Sequence, residues 1–131
     1  MGTLWVVWPL GEVMNEWLES EGVEPPQLES RFPTGREIIN TLNSLAEYEV
    51  KFNDNGINAT WQAYISSKNR PEEYWTLLNI SQYTGADLPQ ELCFEKGHEE
   101  LIRLILKKLT QYCGPLVLIA DSGGEPQLIN A

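Results

Sequence analysis

The chain predicts an α+β domain: a mainly antiparallel sheet with about three helices packed on it, in the order β-α-α-β-β-β-(β)-α-β-β. Three features of the sequence carry that expectation. Apolar residues recur at helical spacing in three separate stretches. They alternate with a period of two between residues 48 and 65, and two unbroken apolar runs, 4–8 and 116–120, lie near opposite ends of the chain. Stripes and alternating faces of this kind must bury one another, and 131 residues suffice for one core in a single domain, 1–131.

The first run, Leu-Trp-Val-Val-Trp, reads as a buried strand. Pro9 then opens a helix whose apolar stripe is Leu10, Val13, Met14, Trp17 and Leu18, with Glu12, Glu16, Glu19 and Glu21 pointing away from it. Gly22 and the Pro25-Pro26 pair end that helix. Thr34 and Glu37 stand at capping-box spacing, and Ile38, Leu42 and Leu45 continue a second helix over about 35–45.

The period then shortens to two. Tyr48, Val50 and Phe52 alternate with Glu49 and Lys51, and Ile57, Ala59, Trp61, Ala63 and Ile65 alternate further on. Asn55-Gly56 lies between them and suits a two-residue turn with positive φ at both centres. Such a turn would pair Phe52 with Ala59, Val50 with Trp61 and Tyr48 with Ala63, placing every apolar partner on one face. Residues 73–83 predict a third strand and 92–94 a short one. A last helix begins near Gly97, with Glu99 and Glu100 early and Lys107 and Lys108 late, and stops at Gly114-Pro115. Residues 116–120 and 127–129 close the order as a buried strand and its hairpin partner.

Between those last two strands stands Asp121-Ser122-Gly123-Gly124, the tetrapeptide that surrounds the nucleophile of chymotrypsin-like proteases. Those proteases need a histidine base, an orienting acid and a longer scaffold. The sole histidine is His98, at an expected helix start, and Ala120 and Glu125 depart from the flanking residues of that motif. Asp, Ser and two glycines between apolar runs predict a tight turn. One His and two separated cysteines, Cys93 and Cys113, provide no metal-ligand spacing. Glu72-Glu73 and Glu99-Glu100 are sequential neighbours, which cannot readily converge on one bond, and no phosphate-binding glycine loop is present. No catalytic residue, cofactor or metal is expected.

Charge is more informative. Nineteen acidic residues face nine basic ones, a net charge of -10. Residues 1–50 hold nine acids and two bases, so the N-terminal part carries most of the field. That surface disfavours nucleic acid and anionic membranes and suits a basic protein. No apolar run approaches the length of a bilayer span, and the first residues lack the basic region of a signal peptide. Gly2 lacks the downstream Ser or Thr of a myristoylation motif, since Val6 stands there. A cytoplasmic location with reduced cysteines is expected.

Five tryptophans are many for this length, and Trp8 and Trp75 have no assigned inward face. The expected role is a non-enzymatic protein-binding module docking a basic partner through Glu12, Glu16, Glu19 and Glu21, with Trp8 and Trp75 as candidate anchors. In class and composition, though through no motif, such a domain is similar to bacterial immunity proteins, which block toxins. Two alternatives remain. One is a small-ligand binder or enzyme with a pocket between helices and sheet, drawing on Tyr64, Thr76, Asn79 and His98. The other is a structural subunit that forms a homo-oligomer through a strand edge or the last helix.

Overall fold

A computed structural model describes residues 4–130; residues 1–3, Gly2 among them, and residue 131 lie outside the described residues. The elements follow the expected order. They are β1 (Leu4–Pro9), α1 (Glu12–Ser20), α2 (Gly35–Asn43), β2 (Tyr48–Asp54), β3 (Trp61–Ser67), β4 (Trp75–Ile80), β5 (Cys93–Gly97), α3 (Glu99–Cys113), β6 (Leu116–Ala120) and β7 (Gln127–Ile129). All seven strands form one sheet in the order β2-β3-β4-β5-β1-β6-β7, with every neighbouring pair antiparallel. The first strand in the chain therefore lies inside the sheet, between β5 and β6, but it is not the buried strand its apolar run predicts: only Val7 is fully buried, and Trp8 is exposed.

The register divides the sheet into two faces. Val7, Ala63, Ile65, Leu78, Ile80, Phe94, Leu116 and Leu118 share one face. Against it α2 buries Ile38 and Leu42, and α3 buries Leu101, Ile102, Ile105, Leu106 and Leu109, forming one continuous core. Apolar residues three and four apart on each helix make this possible. The capping box forms as the sequence predicts: the Thr34 hydroxyl accepts from the Glu37 amide at 3.2 Å, and the Glu37 carboxylate accepts from the Thr34 amide at 2.9 Å. Leu18 of α1 and Val117 of β6 are also fully buried but lie outside that cluster. Val117 points to the opposite face of the sheet, so that face is covered at the β6 end.

Three further expectations are corrected. The hairpin register is not the predicted one: Phe52 pairs with Ala63 and Val50 with Ile65, and Tyr48 lies opposite Ser67. Phe52 therefore does not pair with Ala59, nor Val50 with Trp61, nor Tyr48 with Ala63. The connection is a six-residue loop from Asn55 to Thr60, because the residues that a tight turn would pair are held elsewhere. The Asn58 amide donates to the Tyr83 carbonyl and the Tyr83 amide to the Ala59 carbonyl, so this stretch bonds beyond β4. Asp54 Oδ1 accepts from the Gly56 amide, and Asn55 Nδ2 donates to the Thr60 carbonyl, which closes the loop. The slip is four residues, an even number, so the same side chains keep the same face.

The second correction concerns α1. It begins at Glu12 rather than at Pro9, which ends β1, and Val13 is 81% exposed although it falls on the apolar stripe. Only Leu18 of that stripe is fully buried; Met14 and Trp17 are half-buried. The third is Gly97, which ends β5; His98 is the residue that caps α3. The Asp121–Gly124 segment is the expected turn: the Gly123 amide donates to the Ala120 carbonyl, and both glycines have positive φ, 98° and 132°.

The core and α1 should respond differently to truncation. Ile105→Ala is expected to destabilise the fold by about 2–5 kcal/mol in urea unfolding, and Val13→Ser by less than about 0.5 kcal/mol. Equal costs at the two positions would contradict this division.

Candidate functional site

Six glutamates occupy the first thirty residues, with no lysine or arginine among them. Glu12, Glu16 and Glu19 are spaced four and three apart on α1, so they lie along one side of it, and Glu21 is its C-cap. All four are exposed, as are Glu24 and Glu29 in the connector that follows. Among the described residues none of the six forms an ion pair. The arrangement works against the helix. Like charges at these spacings repel by about 0.2–0.5 kcal/mol per pair, and Glu19 and Glu21 sit at the C-terminal end, where the macrodipole disfavours anions. No basic residue occupies the last turn of α1 to compensate. Helix stability therefore does not account for Glu19 and Glu21, whereas Glu12, in the first turn, suits the macrodipole.

Both candidate tryptophans lie on the sheet face turned away from α2 and α3. Trp75 is half-buried and stacks on Tyr64, with ring centroids 5.8 Å apart and planes inclined by 25°. Trp8 is 45% exposed and leans on Phe32 at 5.9 Å. The pairings of Val6 with Cys93 and of Cys93 with Asn79 set Trp8 level with Ser81, six residues along from Trp75. At about 3.4 Å per residue the two are roughly 20 Å apart along the strands, so they share a face without forming one patch.

A cleft of about 640 Å³ opens beside Trp8. Its origin is a divergence of strands. Pairing between β1 and β5 ends at Val6 and Cys93, while pairing between β1 and β6 continues to Pro9. Past that point the chain before β5 runs to the start of α2, where the Gln90 amide donates to the Pro33 carbonyl and Pro89 bridges Thr34, and the buried Gln90 side chain clasps its own loop. Gln90 Nε2 donates to the carbonyls of Gly85 and Leu88, each at 2.7 Å, and its Oε1 accepts from the Thr84 amide at 3.1 Å. Trp8 and Phe32 line the cleft together with Ser81, Gln82, Glu91 and Cys93. Burial pushes the Cys93 thiol up from its ordinary value, so it stays protonated near neutrality.

The other polar residues considered from the sequence do not converge. Of Tyr64, Thr76, Asn79 and His98, only Asn79 lines this cleft. The buried Thr76 hydroxyl donates to the Lys96 carbonyl at 2.9 Å, and His98 caps α3 with its ring edge-on to Tyr74 at 4.5 Å. Among the described residues no group of three His, Cys, Asp or Glu could hold a metal ion. No described helix is long and apolar enough to cross a membrane. No protein-family model, curated protein or solved structure matches this chain.

One ion pair is built into the frame behind these surfaces. Arg31 grips Glu37 through both guanidinium nitrogens, at 2.7 and 2.9 Å, and also donates to the Tyr112 carbonyl near the end of α3 at 3.1 Å. The hydrogen bonds from Arg31 hold the Glu37 carboxyl below its ordinary value, and those from Thr34 add to the effect. A depressed carboxyl contributes stability that is complete above its unfolded value and is lost as pH falls through the folded one. Glu37→Gln should therefore lower stability at neutral pH by about 1–2 kcal/mol and flatten the loss of stability below about pH 4.5, read from urea midpoints across pH. Close by, burial raises the Cys113 thiol to about 11. In the native protein a thiol reagent should label Cys93 first and reach Cys113 only on unfolding; rapid native labelling of Cys113 would contradict its placement.

Proposed function

We propose that this protein is a non-enzymatic binding module that docks a basic protein partner through the glutamate ridge of α1, in the manner of a small acidic inhibitor acting in the cytoplasm. The single observation that supports the reading is the ridge itself: exposed carboxylates in no ion pair among the described residues, with like charges at repelling spacings and Glu19 and Glu21 at the helix end the dipole disfavours. A surface of one sign accelerates encounter with an oppositely charged partner and selects against anionic ones. Trp75 and Tyr64 stack between β4 and β3 and not on α1, so under this reading they are not anchors of the same contact. Trp8 precedes α1 by three residues and is 45% exposed.

The test separates the ridge from net charge. Capture from a lysate of the source cells at low salt should retain a basic protein that is released at about 0.5 M salt. Glu12, Glu16, Glu19 and Glu21 changed together to Gln should lose that partner. Glu47, Glu49, Glu72 and Glu100, all exposed and in no ion pair among the described residues, changed together to Gln should keep it at the same net charge. Retention of nothing basic, or equal losses in the two variants, would overturn the proposal.

A further inference from the structure

The cleft between the diverging ends of β1 and β5 has features that folding alone leaves unexplained. Trp8 lies directly opposite Val117 in the sheet, yet Val117 is fully buried while Trp8 stays 45% exposed on the cleft wall. Leaving a large aromatic surface in water forgoes the hydrophobic gain of burying it. The Phe32 ring next to it extends that surface, with planes tilted by 52°. Among the described residues β1 has no register partner in β5 beyond Val6, so the cleft opens beside the end of the strand. An apolar recess with a few polar groups at its margin is the usual form of a small-molecule site.

The lining decides the chemical class. Glu91 is the only charged side chain among the lining residues; there is no Lys, Arg or His. Ser81 and Gln82 are exposed beside it and accept or donate hydrogen bonds without adding charge. The whole chain adds a net charge of -10 behind them. An anion would meet repulsion there and no compensating donor charge, whereas a cation meets a carboxylate and the electron-rich face of an indole. We propose that this cleft binds a small organic cation with a flat apolar body, an arylalkylamine, its ring against Trp8 and Phe32 and its ammonium toward Glu91. The site rests on the β1–β5 divergence and not on the α1 ridge, so its fate is independent of the docking role above.

The test uses the full chain and three probes of matched shape: 2-phenylethylammonium, 2-phenylethanol and 3-phenylpropionate. Each is titrated into ¹⁵N-labelled protein at about 0.15 M salt, where loose attraction to exposed glutamates is screened. The ammonium should saturate, with shifts gathered at the Trp8 indole N–H and the amides of residues 81, 82, 91 and 93. The alcohol should bind more weakly by about threefold or more and the carboxylate not measurably. Trp8→Ala should weaken the ammonium by about tenfold, and the exposed Glu91→Gln by about two- to threefold, with the remaining spectrum unchanged as evidence of folding. Equal binding of alcohol and ammonium, saturation by the carboxylate, shifts spread along α1, or undiminished binding by Trp8→Ala would each overturn the proposal.

Discussion

The packing of α2 and α3 on one face of the sheet is the constraint on which the rest of the molecule depends. Neither helix can bury its stripe alone, and the strand faces they cover come from six different strands. Fixing the two helices side by side therefore fixes the sheet beneath them. Polar contacts then hold their ends. The Thr34 capping box starts α2, and its Glu37 is gripped by an arginine that also reaches the last turn of α3. The segment from Thr84 to Gln90 closes over the start of α2, where the Arg36 amide donates to the Ala86 carbonyl. Ion pairs as exposed as Arg36–Asp87 contribute little beside these.

One-sided packing leaves the opposite face and the strand ends to other uses. An antiparallel sheet commonly presents a polar outer face to water. Here that face carries Trp75 stacked on Tyr64, together with Val6 and Leu77, so apolar surface persists where solvent contact is partial. Charge is distributed just as unevenly. The segment joining β1 to α2 carries six glutamates before its first base, Arg31, and their repulsion is relieved by no neighbouring cation among the described residues. Apolar and acidic surface are thus separated within one small domain: a field of one sign along α1, and an aromatic recess where β1 leaves β5.

The elements were legible because their signals are local. A stripe three and four residues apart, a Thr and a Glu at capping distance, and two glycines after an Asp each act within a few residues and need no partner far along the chain. The glutamate ridge was legible for the same reason, being three side chains of one helix and its C-cap. The cleft was not: Trp8, Phe32, Ser81 and Glu91 come from separate segments, and only the premature end of one strand pairing brings them together. The exposure of Val13 was equally hidden, since periodicity identifies a stripe without saying how much of it finds a surface to cover.

The hairpin marks where local rules end. Asn55-Gly56 is a strong turn signal, yet Asn58 and Ala59 bond instead to Tyr83, a residue more than twenty positions later, and the pairing slips by four. By itself the sequence determined which stretches are helix and strand, which sides of them are apolar, and where negative charge gathers. Tertiary structure decided which strands are neighbours, in what register, and where two of them part. The reason is physical: a helix or an alternating strand is specified by spacing along the chain, whereas register and strand order are settled by competition among distant segments for the same backbone hydrogen bonds and the same apolar surface.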